Sequence, residues 1–142
     1  MSKVAVVYWS GTGNTEQMAE SVADGARNAG ADVTTFTAAE FDADKMDEFD
    51  AIAFGCPSMG AEQLEEDEFE PMFTACESKL SGKKIALFGS YGWGDGEWMR
   101  NWVKQMQDAG AEVLGGEDAI CCDAPDDEAE EKLVELGKKL AE

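Results

Sequence analysis

The sequence contains no histidine and few basic residues. In 142 residues, 11 lysines and arginines stand against 31 aspartates and glutamates, which gives a formal net charge of −20. Nucleic acids and anionic membrane surfaces are poor partners for such a chain, since both bind positive charge. A basic protein partner is the natural expectation, although an acidic surface also serves solubility or adaptation to salt.

Cysteine is scarce as well, and its spacing excludes several classes of site. The four cysteines, Cys56, Cys76, Cys121 and Cys122, form no C-x-x-C pair and show no metal-ligand spacing. Without histidine, a zinc site is not expected. Free buried thiols in a reducing cytoplasm are the favoured interpretation, and a vicinal disulfide between Cys121 and Cys122 is the less favoured one.

Long apolar runs and linkers are also missing. No stretch of the sequence is long enough to cross a bilayer, and the short apolar run after Lys3 is below the ~7–15 residues of a signal-peptide core. No low-complexity tract divides the chain. We therefore expect residues 1–142 to form a single cytoplasmic domain.

The most informative segment that is present is VAVVYWSGTGNT, residues 4–15. Residues 4–8 are continuously apolar and predict a buried strand, and residues 10–15 form a loop of glycine, serine, threonine and asparagine. A helix should follow, because apolar residues recur on one face at Met18, Ala19, Val22, Ala26 and Ala29. Backbone N–H groups at such a helix N-terminus bind phosphate.

The residues around this loop restrict the kind of phosphate. No lysine or arginine occurs from Val4 through Asp24, so the nucleoside-triphosphate loop motif is absent. Glu16 stands where a dinucleotide fingerprint requires its third glycine. The segment thus predicts a site for one terminal monophosphate, and the alternative is an ordinary glycine turn with a serine or threonine N-cap.

Strands and helices alternate along the rest of the chain. Further strands are predicted at residues 33–37, 51–54 and 85–88, and a broken fifth strand at residues 113–114 and 119–122. Two more amphipathic helices are indicated by the apolar faces Trp98, Met99, Trp102, Val103 and Met106, and Ala129, Leu133, Leu136 and Leu140. This order predicts an α/β fold, a doubly wound five-stranded parallel sheet with helices on both faces.

Ligands of such sheets bind beyond the carboxyl ends of the strands, where three predicted loops meet. The loops are residues 10–15, 55–62 and 89–96. Met59 and Trp93 each lie next to glycine, and an exposed tryptophan between glycines suits stacking on a planar ring. A phosphate site with a two-sided clamp fits FMN, whereas Trp93 could instead cover the helix that contains Trp98.

Three of these motifs, VVYWSGTGNTE, GCPSMG and KKIALFGSYGWGDGEWM, resemble the short-chain flavodoxins of the clostridial type over essentially the whole chain. The absence of an insertion between Val113 and Cys122 is the mark of the short-chain class. The resemblance implies strand order 2-1-3-4-5 and one noncovalently bound FMN. It also implies a set of cofactor-binding residues: Ser10, Gly11, Thr12, Gly13, Asn14 and Thr15 at the phosphate, Pro57, Ser58, Met59, Gly60, Ala61 and Glu62 in the second loop, and Ser90, Tyr91, Gly92, Trp93 and Gly94 in the third.

Within that set the resemblance implies separate roles. Met59 and Trp93 flank the ring, the Gly60–Ala61 turn contacts flavin N5, and Glu62 accepts from N3–H, while backbone groups of residues 90–94 surround the pyrimidine carbonyls. Two positions depart from the family pattern. Pro57 replaces a phosphate-binding serine of some relatives, and Ala61 replaces an aspartate, which puts one phosphate hydrogen bond and one nearby charge in doubt.

The function implied is that of a low-potential one-electron carrier rather than an enzyme. A flip of the Gly60–Ala61 peptide would give the semiquinone N5–H an acceptor, and nearby carboxylates would disfavour the anionic hydroquinone. The expected partners are basic patches of redox enzymes, such as flavodoxin or ferredoxin reductases and oxidoreductases, which a monomer would meet in the cytoplasm. The alternatives are an FMN-dependent NAD(P)H:quinone reductase and a phosphorylatable receiver domain, although Tyr8, Trp9 and Ser10 stand where a receiver domain needs an acidic cluster.

Overall fold

The computed structural model describes residues 3–9, 13–57, 68–91, 97–114, 120–122 and 125–141. The strands are β1 (Lys3–Tyr8), β2 (Asp32–Thr37), β3 (Ala51–Gly55), β4 (Lys84–Tyr91), β5 (Glu112–Leu114) and β6 (Ile120–Cys122). The α-helices are α1 (Asn14–Asn28), α2 (Phe69–Cys76), α3 (Glu97–Asp108) and α4 (Asp127–Ala141). Short 3₁₀ turns cover Ala38–Glu40, Ala43–Glu48 and Glu77–Lys79.

The strands form one parallel sheet in the order β2-β1-β3-β4-β5. The sixth strand, β6, also pairs with β4, but farther along it, so that Gly89 lies opposite Ile120 while Ile85 lies opposite Val113. The fifth position of the sheet is therefore filled by two short pieces of chain, β5 and β6. The prediction of a five-position parallel sheet in the order 2-1-3-4-5 with a broken last strand is confirmed.

The central strands are apolar throughout because both of their faces are covered. Every residue of β3 is buried, and so are Val4 to Val7 of β1. In contrast, β2 is an edge strand whose aspartate and threonine side chains are exposed. Successive side chains point to opposite faces, so each central strand contributes to two separate cores.

Those two cores lie under two pairs of helices. Val4, Val6 and Ala53 pack with α1 and α4 on one face. The other face is aromatic: Phe54 packs against Phe69 and Phe73 of α2, and these two rings in turn contact Trp102 of α3. Helices thus cover both faces, as the sequence predicts.

Helices α1 and α4 approach each other closely through two glycines. A Cβ on Gly25 would overlap the backbone carbonyl of Val134, and a Cβ on Gly137 would overlap the carbonyl of Val22. The contact is reciprocal, since each helix places a glycine against the backbone of the other. Larger side chains at these positions would force the helices apart.

Some details differ from the predictions. Strand β4 continues through Tyr91, whereas residues 89–91 were expected in a loop, because pairing with β6 extends its ladder. Ala29 is exposed rather than part of the apolar stripe, since α1 ends at Asn28. Helix α2 has no counterpart among the sequence-based predictions, because its eight residues are too few for a clear period. Among the described residues, no helix combines the length and apolarity that crossing a bilayer requires.

Candidate functional site

The candidate site lies where β1, β3 and β4 end. The register places Tyr8 beside Gly55, and Gly55 beside Phe88, so the segments that follow β1 and β3 leave the sheet at one edge. Helix α1 packs on one face of the sheet and α2 on the other. The β1/β3 pair is therefore the topological switch point, where open α/β sheets form a ligand crevice.

The N-terminus of α1 opens into this region. Gly13 is the N-cap residue, with a φ of 96° and no side-chain capping bond. The N–H of Gln17 donates to the Gly13 carbonyl at 3.1 Å, as the first turn of the helix requires. The N–H groups of Asn14, Thr15 and Glu16 therefore have no partner within the helix, and the helix dipole adds positive potential there.

This geometry fits a phosphate. The donors are backbone N–H groups and the Thr15 hydroxyl, and a phosphate oxygen only accepts hydrogen bonds. The alternative of a serine or threonine N-cap is wrong, because glycine occupies the cap and its left-handed backbone suits a residue without a Cβ.

Two buried hydroxyls connect α1 to β4. The Thr15 and Ser90 side-chain oxygens are 3.3 Å apart, in residues only 1% and 5% exposed. Both residues belong to the predicted binding set, from its first and third segments. The structure therefore brings these two segments together.

The root of the second predicted loop is held by three elements. The Trp9 N–H donates to the Gly55 carbonyl at 3.0 Å, and the Cys56 N–H to the Phe88 carbonyl at 3.1 Å. The Trp98 indole Nε1–H, from α3, donates to the Cys56 carbonyl at 3.3 Å. Pro57, the first predicted binding residue of this loop, follows directly and is half-buried.

Trp98 also touches the root of the third loop. Its ring centroid is 5.6 Å from that of Tyr91, the last residue of β4. Gly89 allows this arrangement, because a Cβ there would overlap the Cys56 carbonyl. The sequence indicated Trp98 only as part of an apolar helix face, and the long-range bond of its indole N–H was not predicted.

Acidic residues surround the end of β1. The pKa of Tyr8 is raised, first by burial and then by the negative charges of Glu16, Glu20 and Glu40. The phenol is therefore neutral at physiological pH. The same carboxylates give this side of the crevice a negative potential.

The predicted binding residues fall into two groups. Gly13, Asn14, Thr15, Pro57, Ser90 and Tyr91 are described and lie at the sheet edge or at the N-terminus of α1. The rest lie outside the described residues and stay predictions: Ser10, Gly11, Thr12, Ser58, Met59, Gly60, Ala61, Glu62, Gly92, Trp93 and Gly94.

Two of the cysteines have described side chains. Cys56 and Cys76 are fully buried, as expected, and the Cys76 thiol faces the Met72 sulfur at 3.9 Å. Burial, with a smaller effect of Asp42, raises the pKa of Cys76 to about 11. Cys121 and Cys122 lie in β6, and their side chains are outside what is described.

The sheet order, with a helix N-terminus suited to a phosphate at its switch point, is typical of α/β proteins of the mononucleotide-binding class. A family model for flavodoxin matches residues 6–137. The chain belongs to the flavodoxin family.

Relatives match over nearly their full lengths. The flavodoxin of Clostridium beijerinckii is 48% identical over 136 residues, which cover 96% of this chain and 97% of the relative. That of Megasphaera elsdenii is 48% identical over 138 residues, covering 97% and 98%. The solution structure of two-electron reduced Megasphaera elsdenii flavodoxin superposes with a TM-score of 0.83 at 44% identity, covering 96% of this chain and 98% of that one.

A flavodoxin from the domain Archaea superposes with a TM-score of 0.84 at 26% identity and covers 98% of this chain and 96% of its own. The resemblance inferred from the three sequence motifs is confirmed. The family cofactor is FMN, and its members are electron-transfer proteins that serve redox partners.

Proposed function

We propose that residues 1–142 form one FMN-binding domain that acts as a low-potential one-electron carrier and is not an enzyme. The observation that supports this most directly is the N-terminus of α1 at the β1/β3 switch point, where backbone N–H groups are available and no basic side chain occurs from Val4 to Ala26. FMN supplies the one-electron chemistry, and in this proposal the protein cycles it between the half-reduced and fully reduced levels. The quinone-reductase alternative is not favoured, since the relatives matched over nearly the whole chain are flavodoxins.

The described residues have distinct roles in this proposal. Asn14 and Thr15 donate to the phosphate from the first turn of α1. Trp98 fixes the root of the second loop at Cys56 and the root of the third at Tyr91. Those two loops contain Met59, Glu62 and Trp93, for which we propose the ring-flanking and N3-binding roles that the family resemblance implies.

The electrostatics favour a low potential and a basic partner. A net charge of −20 opposes the addition of a further negative charge to the cofactor. The same charge attracts a basic surface over long distances at low salt. We propose basic patches of reductases and oxidoreductases as partners of a cytoplasmic monomer.

Two measurements test the proposed function. The chromophore of the purified protein is extracted in acid and identified by mass, and FMN is the expected result. The visible spectrum is then followed during stepwise anaerobic reduction, in which two resolved one-electron steps are expected. Recovery of FAD, or failure to bind any flavin after reconstitution, would contradict the cofactor assignment, and a single two-electron step would contradict the carrier role.

A further inference from the structure

The Thr15–Ser90 pair is a contact between two buried hydroxyls. Among the described residues, these are the only buried side chains that carry a hydroxyl, an amide or a charge. They lie 75 positions apart in the sequence, one in the first turn of α1 and one near the end of β4. Burying a hydroxyl is unfavourable unless it forms a hydrogen bond, so both Thr15 and Ser90 need hydrogen-bond partners at this site.

A count of protons shows what the pair still requires. Each hydroxyl has one O–H donor and two acceptor lone pairs. The contact between Thr15 and Ser90 uses one of the two protons, and either oxygen can be the donor. The second proton remains for a further acceptor.

A phosphate removes the ambiguity of direction. Its oxygens only accept, so Thr15 can serve it as a donor only if its own proton is not used on Ser90. Ser90 must then donate to Thr15 Oγ1. Ser90 is suited to this because its backbone is held in β4 opposite Cys121 of β6, so its side chain starts from a rigid position.

We propose that Ser90 is a positioning residue for the FMN phosphate. It donates to Thr15 Oγ1 and thereby keeps the Thr15 proton directed to the phosphate, and hydrogen bonds in such a chain polarise each other. This differs from the role that the family resemblance implies, which involves only backbone groups of residues 90–94 near the ring. The inference rests on the proposed FMN function and predicts that Ser90 contributes to the preference for FMN over riboflavin.

The test is a titration of the apoprotein with FMN and with riboflavin, which lacks the phosphate. Ser90→Ala should weaken FMN binding about 5- to 10-fold, equivalent to about 1–1.4 kcal/mol, and riboflavin binding less than about 2-fold. Thr15→Val should weaken FMN binding by at least about 10-fold. In the Thr15→Val background, Ser90→Ala should have no further effect, whereas in Thr15→Ser, which keeps the hydroxyl, its effect should persist.

Ser21→Ala is the matched serine-to-alanine control, on the helix that contains Thr15. The Ser21 hydroxyl donates to the Gln17 carbonyl at 3.4 Å within α1, so its loss should leave the FMN-to-riboflavin preference unchanged. If Ser90→Ala fails to fold, Ser90→Cys keeps a side chain of the same shape, slightly larger and with a weaker donor, and should show a smaller loss specific to FMN.

Several outcomes would overturn the inference. Equal weakening of FMN and riboflavin would mean that Ser90 acts on the ring or on the fold as a whole. Full additivity of Ser90→Ala with Thr15→Val would show that Ser90 does not act through Thr15. A parent protein that binds neither flavin would refute the proposed function itself, and the inference with it.

Discussion

The two buried tryptophans of α3 allow the contribution of one hydrogen bond to the free energy of unfolding to be measured with a matched control. Trp98 and Trp102 are each 2% exposed and lie one helical turn apart. The Trp98 Nε1–H donates to the Cys56 carbonyl, whereas Trp102 Nε1 has no hydrogen-bond partner among the described residues. Trp98→Phe and Trp102→Phe delete the same atoms, but among the described residues only Trp98→Phe removes a hydrogen bond, the one to the Cys56 carbonyl.

The difference in stability can be worked out from this contrast. Trp98→Phe removes the donor from a buried carbonyl, which destabilises by roughly 1–3 kcal/mol in addition to the cavity it creates. Trp102→Phe creates a similar cavity but removes an unsatisfied donor, which offsets part of the loss. We expect Trp98→Phe to lower the free energy of unfolding by about 2 kcal/mol more than Trp102→Phe does.

The assay is urea unfolding of both apoproteins, with comparison of midpoints at unchanged slope. Since Trp98 joins the roots of two predicted cofactor loops, Trp98→Phe should also shift the FMN dissociation constant and the reduction potentials, and Trp102→Phe should leave them near the parent values. If the two variants lost equal stability, or if Trp102→Phe lost more, the bond to Cys56 would not stabilise the fold as argued.

Three other predictions concern Trp93, a predicted acidic rim that consists of Glu65, Glu66, Asp67 and Glu68, and the buried thiol of Cys76. Trp93→Ala should weaken FMN binding and make the second reduction easier, because the aromatic face disfavours the added negative charge; unchanged affinity and potentials, measured by titration and spectroelectrochemistry, would contradict the ring-flanking role. Neutralising these four carboxylates to Gln or Asn should raise the semiquinone/hydroquinone potential by on the order of tens of millivolts and slow reduction by a basic reductase at low salt. If neutralising a control cluster of acidic residues at the start of α4 had equal effects, the overall charge alone would be the cause. The control cluster consists of Asp126, directly before α4, and of Asp127, Glu128, Glu130 and Glu131 in its first turns. Folding raises the pKa of Cys76 from 9.0 to about 11, so the unfolded chain loses this proton first, and stability should decline between pH 9 and 11. Chemical unfolding at several pH values should show a shallower decline in Cys76→Ala, and an identical decline would refute the shift.

Local pattern was sufficient for much of this fold. The continuous apolar residues of β1 and β3 predict strands that are covered on both faces, and the structure buries Val4 to Val7 of β1 and every residue of β3. The apolar residues of α3 also predict its buried face correctly, because their helical spacing shows which side of the helix packs against the core. The chemistry of the first loop, small and without basic residues, likewise predicts a monophosphate site from residues adjacent in the chain.

Tertiary structure decided what depends on partners distant in sequence. Strand β4 reaches Tyr91 because β6 pairs with it, and no property of residues 89–91 alone distinguishes a paired strand from a loop. The contact of Thr15 with Ser90 spans 75 positions, and that of Trp98 with Cys56 spans 42. Such contacts arise from register, twist and helix placement together, so they exist only once the sheet has assembled. The sequence by itself therefore determined the buried central strands and the amphipathic helices, because their burial follows from residues adjacent in the chain, whereas the assembled sheet decided how far β4 extends and which buried polar groups meet.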